Sequence, residues 1–180
     1  MDTIKLTLPS EAYLDQVRAY RQECFAADSS MDGCGPLRRI EDPEEWLAET
    51  RRYLDPATVP EGKVQATQFL AVRESDGKLV GMIQVRHYFN EYLEKYAGHI
   101  GYSVRPGERR KGYAKEQLRQ ALGFCKETLD LDRVLITCQT HNEGSRRTIL
   151  ANGGVYESTV HEPTEHMDLE RYWITLIPFS

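Results

Sequence analysis

An α/β domain of about seven strands and four helices is predicted by three observations. The apolar periodicity reads β-α-α-β-β-β-α-β-α-β-β along the chain. Asp76-Gly77 lies between two apolar runs, the pattern of a tight hairpin. An alternating run at 98–104 passes through a basic, glycine-containing turn directly into helical spacing.

Each element follows from its local pattern. Ile4, Leu6 and Leu8 alternate with polar residues until Pro9, giving a first strand. Ser10 stands as the cap of a helix reaching Ala26, with Leu14, Val17, Tyr20 and Cys24 near helical spacing. Residues 27–40 break into Asp, Ser and Gly and read as an irregular loop. Asp42-Pro43-Glu44-Glu45 is a helix start: an Asp cap, Pro at the first position and Glu three residues on. Trp46, Leu47, Thr50, Tyr53 and Leu54 share one face of that helix.

Phe69–Val72 and Leu79–Val85 read as the two strands of the hairpin. A connection over 90–97 leads to the 98–104 strand, and Ala114, Leu118, Ala121, Leu122, Cys125 and Leu129 continue at helical spacing. Arg133–Cys138 is a short, largely apolar strand suited to burial. Thr140-His141-Asn142-Glu143 opens another helix, which Asn152-Gly153-Gly154 closes through a left-handed cap. Two strands follow, near Val155–Val160 and Tyr172–Ile177.

Bulk properties narrow the function classes. At 180 residues the simplest arrangement is a single domain over 1–180 with a sizeable core. The net charge of −5 argues against nonspecific nucleic-acid binding, which requires a basic surface. None of the four cysteines forms a C-x-x-C pair, so no metal site or redox motif is expected. The first residues lack a basic segment followed by an apolar one, and no apolar run approaches the ~18 residues of a membrane span. A soluble, cytoplasmic protein is the expectation.

The stretch Val104-Arg105-Pro106-Gly107-Glu108-Arg109-Arg110-Lys111-Gly112-Tyr113-Ala114 is the most informative. Strand, basic glycine turn and helix start together aim backbone N–H groups and a helix N-terminus at one point. Unpaired N–H groups and the helix dipole favour an anion there, typically a phosphate. Neither G-x-x-x-x-G-K-[ST] nor G-x-G-x-x-G occurs, which excludes two other phosphate loops. The spacing Arg109-x-x-Gly112-x-Ala114 resembles the pyrophosphate-binding signature of the GNAT N-acetyltransferases, and the element order resembles theirs from Thr3 to Ile177. The resemblance implies the GNAT fold, a mixed central sheet flanked by helices, with acetyl-CoA as cosubstrate and an amine as acceptor.

Several residue roles follow from that resemblance. Small Gly112 and Ala114 leave room for a pyrophosphate held by backbone N–H groups from Arg110 through Tyr113 to Ala114, with Arg109, Arg110 and Lys111 adding positive field. The pantetheine arm would pair with the 98–104 strand through Ser103 and Val104, and an N–H near Val104 would polarise the thioester carbonyl. Asn142 and Ser145 stand where family members face the pantetheine. Asn142 is equally readable as a helix cap, unless Thr140 and Glu143 form a capping box and free it.

An amine of pKa about 10.4 is only ~10⁻³ to 10⁻⁴ neutral at pH 7, so a proton must be removed before attack. His99 leads as base, with His87 second if the two strands form a hairpin that brings the histidines opposite one another. Glu91, Glu94 and Glu108 are further candidates, and Asp28, Asp32, Glu91 and Glu94 could attract a cationic amine. The tyrosine that many family members carry as general acid is replaced by Ile149, leaving Tyr102, Tyr113 and Tyr156 unranked as substitutes. The competing reading is therefore a non-catalytic acyl-CoA-binding module. The acceptor is a small molecule or peptide amine, and the family resemblance is compatible with a homodimer.

Overall fold

Apolar alternation places two central strands under helices on both faces. The computed structural model describes residues 2–177. β1 (Ile4–Thr7), β2 (Ala66–Arg73), β3 (Leu79–Arg86) and β4 (Ile100–Val104) form one sheet in the order β1-β2-β3-β4. β5 (Arg133–Gln139), β6 (Val155–Glu162) and β7 (Met167–Thr175) form a second, in the order β5-β7-β6. The helices are α1 (Leu14–Ala26), α2 (Pro43–Leu54), α3 (Tyr113–Glu127) and α4 (Glu143–Ala151). The expected mixed sheet is thus divided, and the ladders within each part are antiparallel.

β2 and β3 are buried along nearly their whole length because successive side chains serve opposite layers. Phe69, Ile83 and Val85 pack with Leu118, Leu122 and Cys125 of α3 and Ile149 of α4. Leu70 and Met82 pack with Val17, Tyr20 and Cys24 of α1 and Trp46 and Leu47 of α2. Full burial of one such aliphatic side chain contributes roughly 1.5–3 kcal/mol. Trp46 is also fixed in direction, since its buried indole N–H donates to the Cys34 carbonyl at 2.8 Å.

Local signals explain most boundaries. Asp42 accepts from the Glu44 N–H at 3.1 Å with Pro43 at the first helical position, as expected for α2. Gly77 has φ 72° in the β2–β3 turn, and Gly153 has φ 88° where α4 stops. Ser10 departs from expectation: it precedes a short 3-10 turn at Glu11–Tyr13 and makes no side-chain cap, so α1 begins only at Leu14. The 90–97 connection is not a plain hairpin loop either. Asn90 accepts from the Leu93 N–H at 2.9 Å and starts a π-helical turn over Leu93–Ala97.

Between β4 and β5 the two sheets touch at their base and then part. Gly98 bridges to Ile136, and the His99 N–H donates to the Leu135 carbonyl at 2.8 Å. Gly98 has φ 68°, and a Cβ there would collide with the Leu135 carbonyl, so only glycine permits this approach. Beyond it no ladder joins β4 to β5, and the gap opens toward the helix N-termini of α3 and α4.

Candidate functional site

The open edge of β4 can be read from its register. Arg86 N–H donates to His99 O, and Arg105 N–H donates to Val80 O, so every second residue between them faces β3. Gly101 and Ser103 are therefore spent in the β3 ladder, while the backbone groups of Tyr102 and Val104 point into the gap. Of the two strand partners expected for the pantetheine arm, Val104 has the right direction and Ser103 does not. The Ser103 hydroxyl is instead buried at 2.7 Å from the Tyr20 hydroxyl and 3.4 Å from Cys34 Sγ.

A cleft of about 680 Å³ runs from this edge to the start of α3. Arg109, Arg110, Gly112, Tyr113 and Ala114 line one end, and Asn142, Ser145 and Val104 line the other. Arg110 (φ 61°) and Gly112 (φ 86°) are both left-handed, which folds the loop back over the helix start. No side chain caps α3. Its first N–H groups consequently have no intrahelical acceptor and face the cleft.

The charges of the loop divide into two sets. Lys111 does not line the cleft; its ammonium lies 2.8 Å from a Glu108 oxygen. Glu108 is buried and also holds Arg73 at 2.9 Å and Lys78 at 2.8 Å. These cations keep its carboxyl low, at about 2, so Glu108 is an anchor for the turn and not a proton acceptor. The Arg109 guanidinium donates to the Val104 carbonyl at 3.1 Å, tying the turn to the strand end. Arg109 and Arg110 thus supply the positive field expected of all three basic residues.

Asn142 and Ser145 both reach the gap, but each has a structural duty. Asn142 Oδ1 accepts the Ser145 N–H at 3.1 Å and caps α4, leaving its amide NH₂ toward the cleft. The Thr140–Glu143 capping box does not form, because the helix begins after Asn142. Ser145 Oγ lies 2.8 Å from the Tyr102 hydroxyl, which also approaches the Ser145 carbonyl at 3.2 Å. That tyrosine–serine pair closes the gap between β4 and α4. Burial pushes the Tyr102 hydroxyl well above its ordinary pKa, so it keeps its proton at neutral pH.

The two histidines expected as bases are placed elsewhere. Arg86, not His87, lies opposite His99. His87 turns to the Thr67 hydroxyl, 2.7 Å from its Nε2. His99 is buried, stacks on Phe89 at 4.1 Å between ring centroids, and accepts the Leu135 N–H on Nδ1 at 3.0 Å. A neutral ring bonded in that way carries its hydrogen on Nε2 and has no lone pair left for a substrate proton. Burial and the neighbouring Arg86 charge lower its pKa to about 4. His99 does not line the cleft and is a strut between the two sheets.

A second cavity of about 530 Å³ lies on the other side of the gap, lined by Gln84, Arg86, Tyr92 and Tyr96 among others. It meets the first at Ser30, Asp32, Tyr102, Asn142 and Ser145, which line both. Asp32 stands at this junction, in the loop that Gly33 presses against β4. A Cβ on Gly33 would lie 2.5 Å from the Gly101 oxygen. Surrounding protein raises the Asp32 carboxyl above its ordinary value, with the Arg86 charge opposing that rise. Of the tyrosines unranked in sequence, Tyr102 alone sits at the junction: Tyr113 packs with Ile4, Ala71 and Val80, and Tyr156 is exposed on β6. Among the described residues, no three His, Cys, Asp or Glu side chains gather as a metal ion would require, and no helix is long and apolar enough to cross a membrane.

Comparison with known proteins places this geometry. The family model of the acetyltransferase (GNAT) domain matches residues 9–155. The chain belongs to the GNAT acetyltransferase family. It is 28% identical over 115 residues to the uncharacterized N-acetyltransferase YnaD of Bacillus subtilis, a match spanning 62% of this chain and 65% of that relative. Its fold is similar to that of the ribosomal-protein-S5-alanine acetyltransferase of Vibrio fischeri, at TM-score 0.73 and 16% identity, covering 100% and 97% of the two chains. A GNAT-family acetyltransferase of Bacillus anthracis matches at TM-score 0.67 and 19% identity, covering 97% and 96%. The spermidine/spermine N-acetyltransferase SpeG of Vibrio cholerae matches at TM-score 0.65 and 15% identity, covering 96% and 92%.

Proposed function

We propose that this GNAT chain transfers an acetyl group from acetyl-CoA directly to a primary amine of a small molecule or peptide. The observation that carries this reading is the meeting of two cavities at Asp32, Tyr102 and Ser145, beside an unpaired strand edge and an uncapped helix start. Acetyl-CoA, when bound, would supply a thioester carbonyl for attack and a thiolate leaving group. Residues 109–114 would hold its pyrophosphate through backbone N–H groups, and the open edge at Tyr102 and the Val104 N–H would take its amide-bearing arm.

Asp32 faces both cavities and receives the proton that the attacking ammonium must lose. The nitrogen–carbonyl bond forms, the carbon–sulfur bond breaks, and the nitrogen sheds its second proton to solvent as it becomes an amide. With the Ser145 hydroxyl donating to the Tyr102 oxygen, the Tyr102 hydrogen turns from the Ser145 carbonyl to the developing charge. Tyr102 donates that hydrogen bond without surrendering its proton, since its pKa lies far above the ~8.5 of a thiol. The thiolate then takes its proton from solvent. This removes the need for an ionisable residue at Ile149.

Isothermal titration with acetyl-CoA, followed by thiol release in the presence of amines, tests the reading. Micromolar binding that is lost in Gly112→Val while the fold remains intact is expected. Absence of acetyl-CoA binding to the unmodified protein would overturn it.

A further inference from the structure

Arg86 carries a charge that the fold leaves unmatched. It projects from the central strand β3 into the second cavity and also lines a neighbouring one of about 460 Å³. No carboxylate lies within ion-pair distance of it among the described residues. Its contacts are two long ones from a single nitrogen, to the Ala97 carbonyl at 3.4 Å and the Gly98 carbonyl at 3.5 Å. A guanidinium has five donors in a planar fork, so most of its capacity is unused. By contrast the cations Arg73, Arg105 and Arg146 each hold a carboxylate within 2.9 Å.

The surroundings of Arg86 suit an incoming ligand and not packing. Gly101 stands beside its fork, where a Cβ would lie 3.5 Å from Nη2 and 3.3 Å from the Gly33 nitrogen, so a side chain there would crowd the space. Gln84, two residues away on the same face, adds an amide to the cavity wall. Next to it the Gln68 Oε1 is buried without a hydrogen-bond partner, 3.2 Å from where a Gly35 Cβ would lie. Tyr92 and Tyr96, 5.2 Å apart between centroids, also line the cavity.

Resting on the acetyl-transfer reading, we propose that the acceptor is an amine that also bears a carboxylate, and that Arg86 is the residue that binds it. Asp32 and Arg86 line the same cavity without pairing, one at the junction with the acetyl-CoA cleft and the other deeper in. A zwitterion fits that polarity: its ammonium at Asp32, beside the thioester, and its carboxylate on the guanidinium fork. A polyamine does not, because its second cation would meet Arg86.

The test is binding to the CoA-saturated protein, read by titration calorimetry, so that no turnover is required. The probes are the common amino acids, γ-aminobutyrate and acidic dipeptides, each beside its carboxamide or decarboxylated amine, with spermidine as a polycationic comparison. At least one carboxylate member binding about 10- to 100-fold more tightly than its neutral partner is expected, with that preference abolished in Arg86→Gln and partly restored in Arg86→Lys. The matched pairs on the unmodified protein decide the matter even if a variant fails to fold. Free amino acids and acidic dipeptides separate a backbone carboxylate from a peptide side chain. Equal binding of the paired probes, spermidine preferred, or no binding across the panel would each overturn the inference. Failure of CoA to bind in the first titration would instead overturn the acetyl-transfer reading beneath it.

Discussion

Replacing His99 with phenylalanine separates a strut from a base. Phenylalanine preserves the ring, and with it the stacking on Phe89, but removes the Nδ1 acceptor. The Leu135 N–H, on a residue with no exposed surface, then loses its partner, which costs about 1–3 kcal/mol. For a domain of this size that corresponds to a fall in Tm of roughly 2–12 °C at neutral pH.

The pH dependence supplies the sharper result. The pKa of His99 is about 4 in the folded chain against 6.5 for the free side chain, so between those values the unfolded state binds the extra proton. Stability is therefore complete above pH 6.5 and falls as pH drops toward 4. By pH 4.5 that loss is on the order of 2–3 kcal/mol, from 1.36 kcal/mol per pKa unit. His99→Phe lacks it entirely. In urea denaturation the variant should be less stable at pH 7.5, and the deficit should close or reverse by pH 4.5. All other titrating groups, His87 included, cancel in the difference. A deficit that stays constant with pH would refute the buried, neutral His99. Retention of folding with a 10²–10⁴-fold loss of turnover would restore it as the base.

Tyr102→Phe should lower kcat about 10- to 100-fold, the worth of a hydrogen bond to a charged group, with little change in acetyl-CoA affinity by calorimetry. An equal loss of acetyl-CoA binding would mean that Tyr102 merely shapes the cleft. Gly112→Ala, which forces a Cβ into a backbone with φ 86°, should destabilise the chain by about 1–2 kcal/mol in chemical denaturation and weaken acetyl-CoA. Glu108→Gln should release Arg73, Lys78 and Lys111. Because Glu108 is held near 2, its contribution is present above pH 4.5 and disappears as pH falls toward 2. The Glu108→Gln variant should accordingly lose stability at pH 7 and lose less of it on acidification, as followed by circular dichroism.

The fold was legible where signals are local. Asp42-Pro43, Asp76-Gly77 and Gly153-Gly154 mark turns and caps whose chemistry is complete within a few residues. The 104–114 turn was legible for the same reason as a strand end, basic turn and helix start, although the left-handed Arg110 and Gly112 were not. Long-range pairing was not. That Lys111 belongs to Glu108 and a shared carboxylate, while Arg109 and Arg110 face the cleft, depends on side-chain directions within one basic run. The choice of Val104 over Ser103 turns on a register fixed by Val80 and Arg86, some twenty residues upstream. His99 looked like a base because histidine titrates near neutrality. Its Leu135 partner, 36 residues on in another sheet, removes that property.

The acceptor side did leave a mark in the sequence, at the positions where burial pattern and residue type disagree. In a central strand covered on both faces, period-two alternation demands apolar residues throughout. Apart from Thr67, which bonds His87 on the opposite face, and Arg73 at the end of β2, the polar exceptions in β2 and β3 are Gln68, Gln84 and Arg86, which fall on one face. Gln68 and Gln84 are direct cross-strand partners, and Arg86 follows two residues later on the same side. The Gln68 amide anchors the Gly33 carbonyl at 2.6 Å, but packing gives no reason for Gln84 and the Arg86 guanidinium where Leu70 and Met82 show that aliphatic residues fit. Gly33, Gly35 and Gly101 face the same region and withhold side chains from it. A guanidinium fork with little to bond, beside backbone without side chains, defines a space meant to be completed from outside. The polarity of that space, a lone guanidinium deep and a lone carboxylate at the junction, is what selects the acceptor.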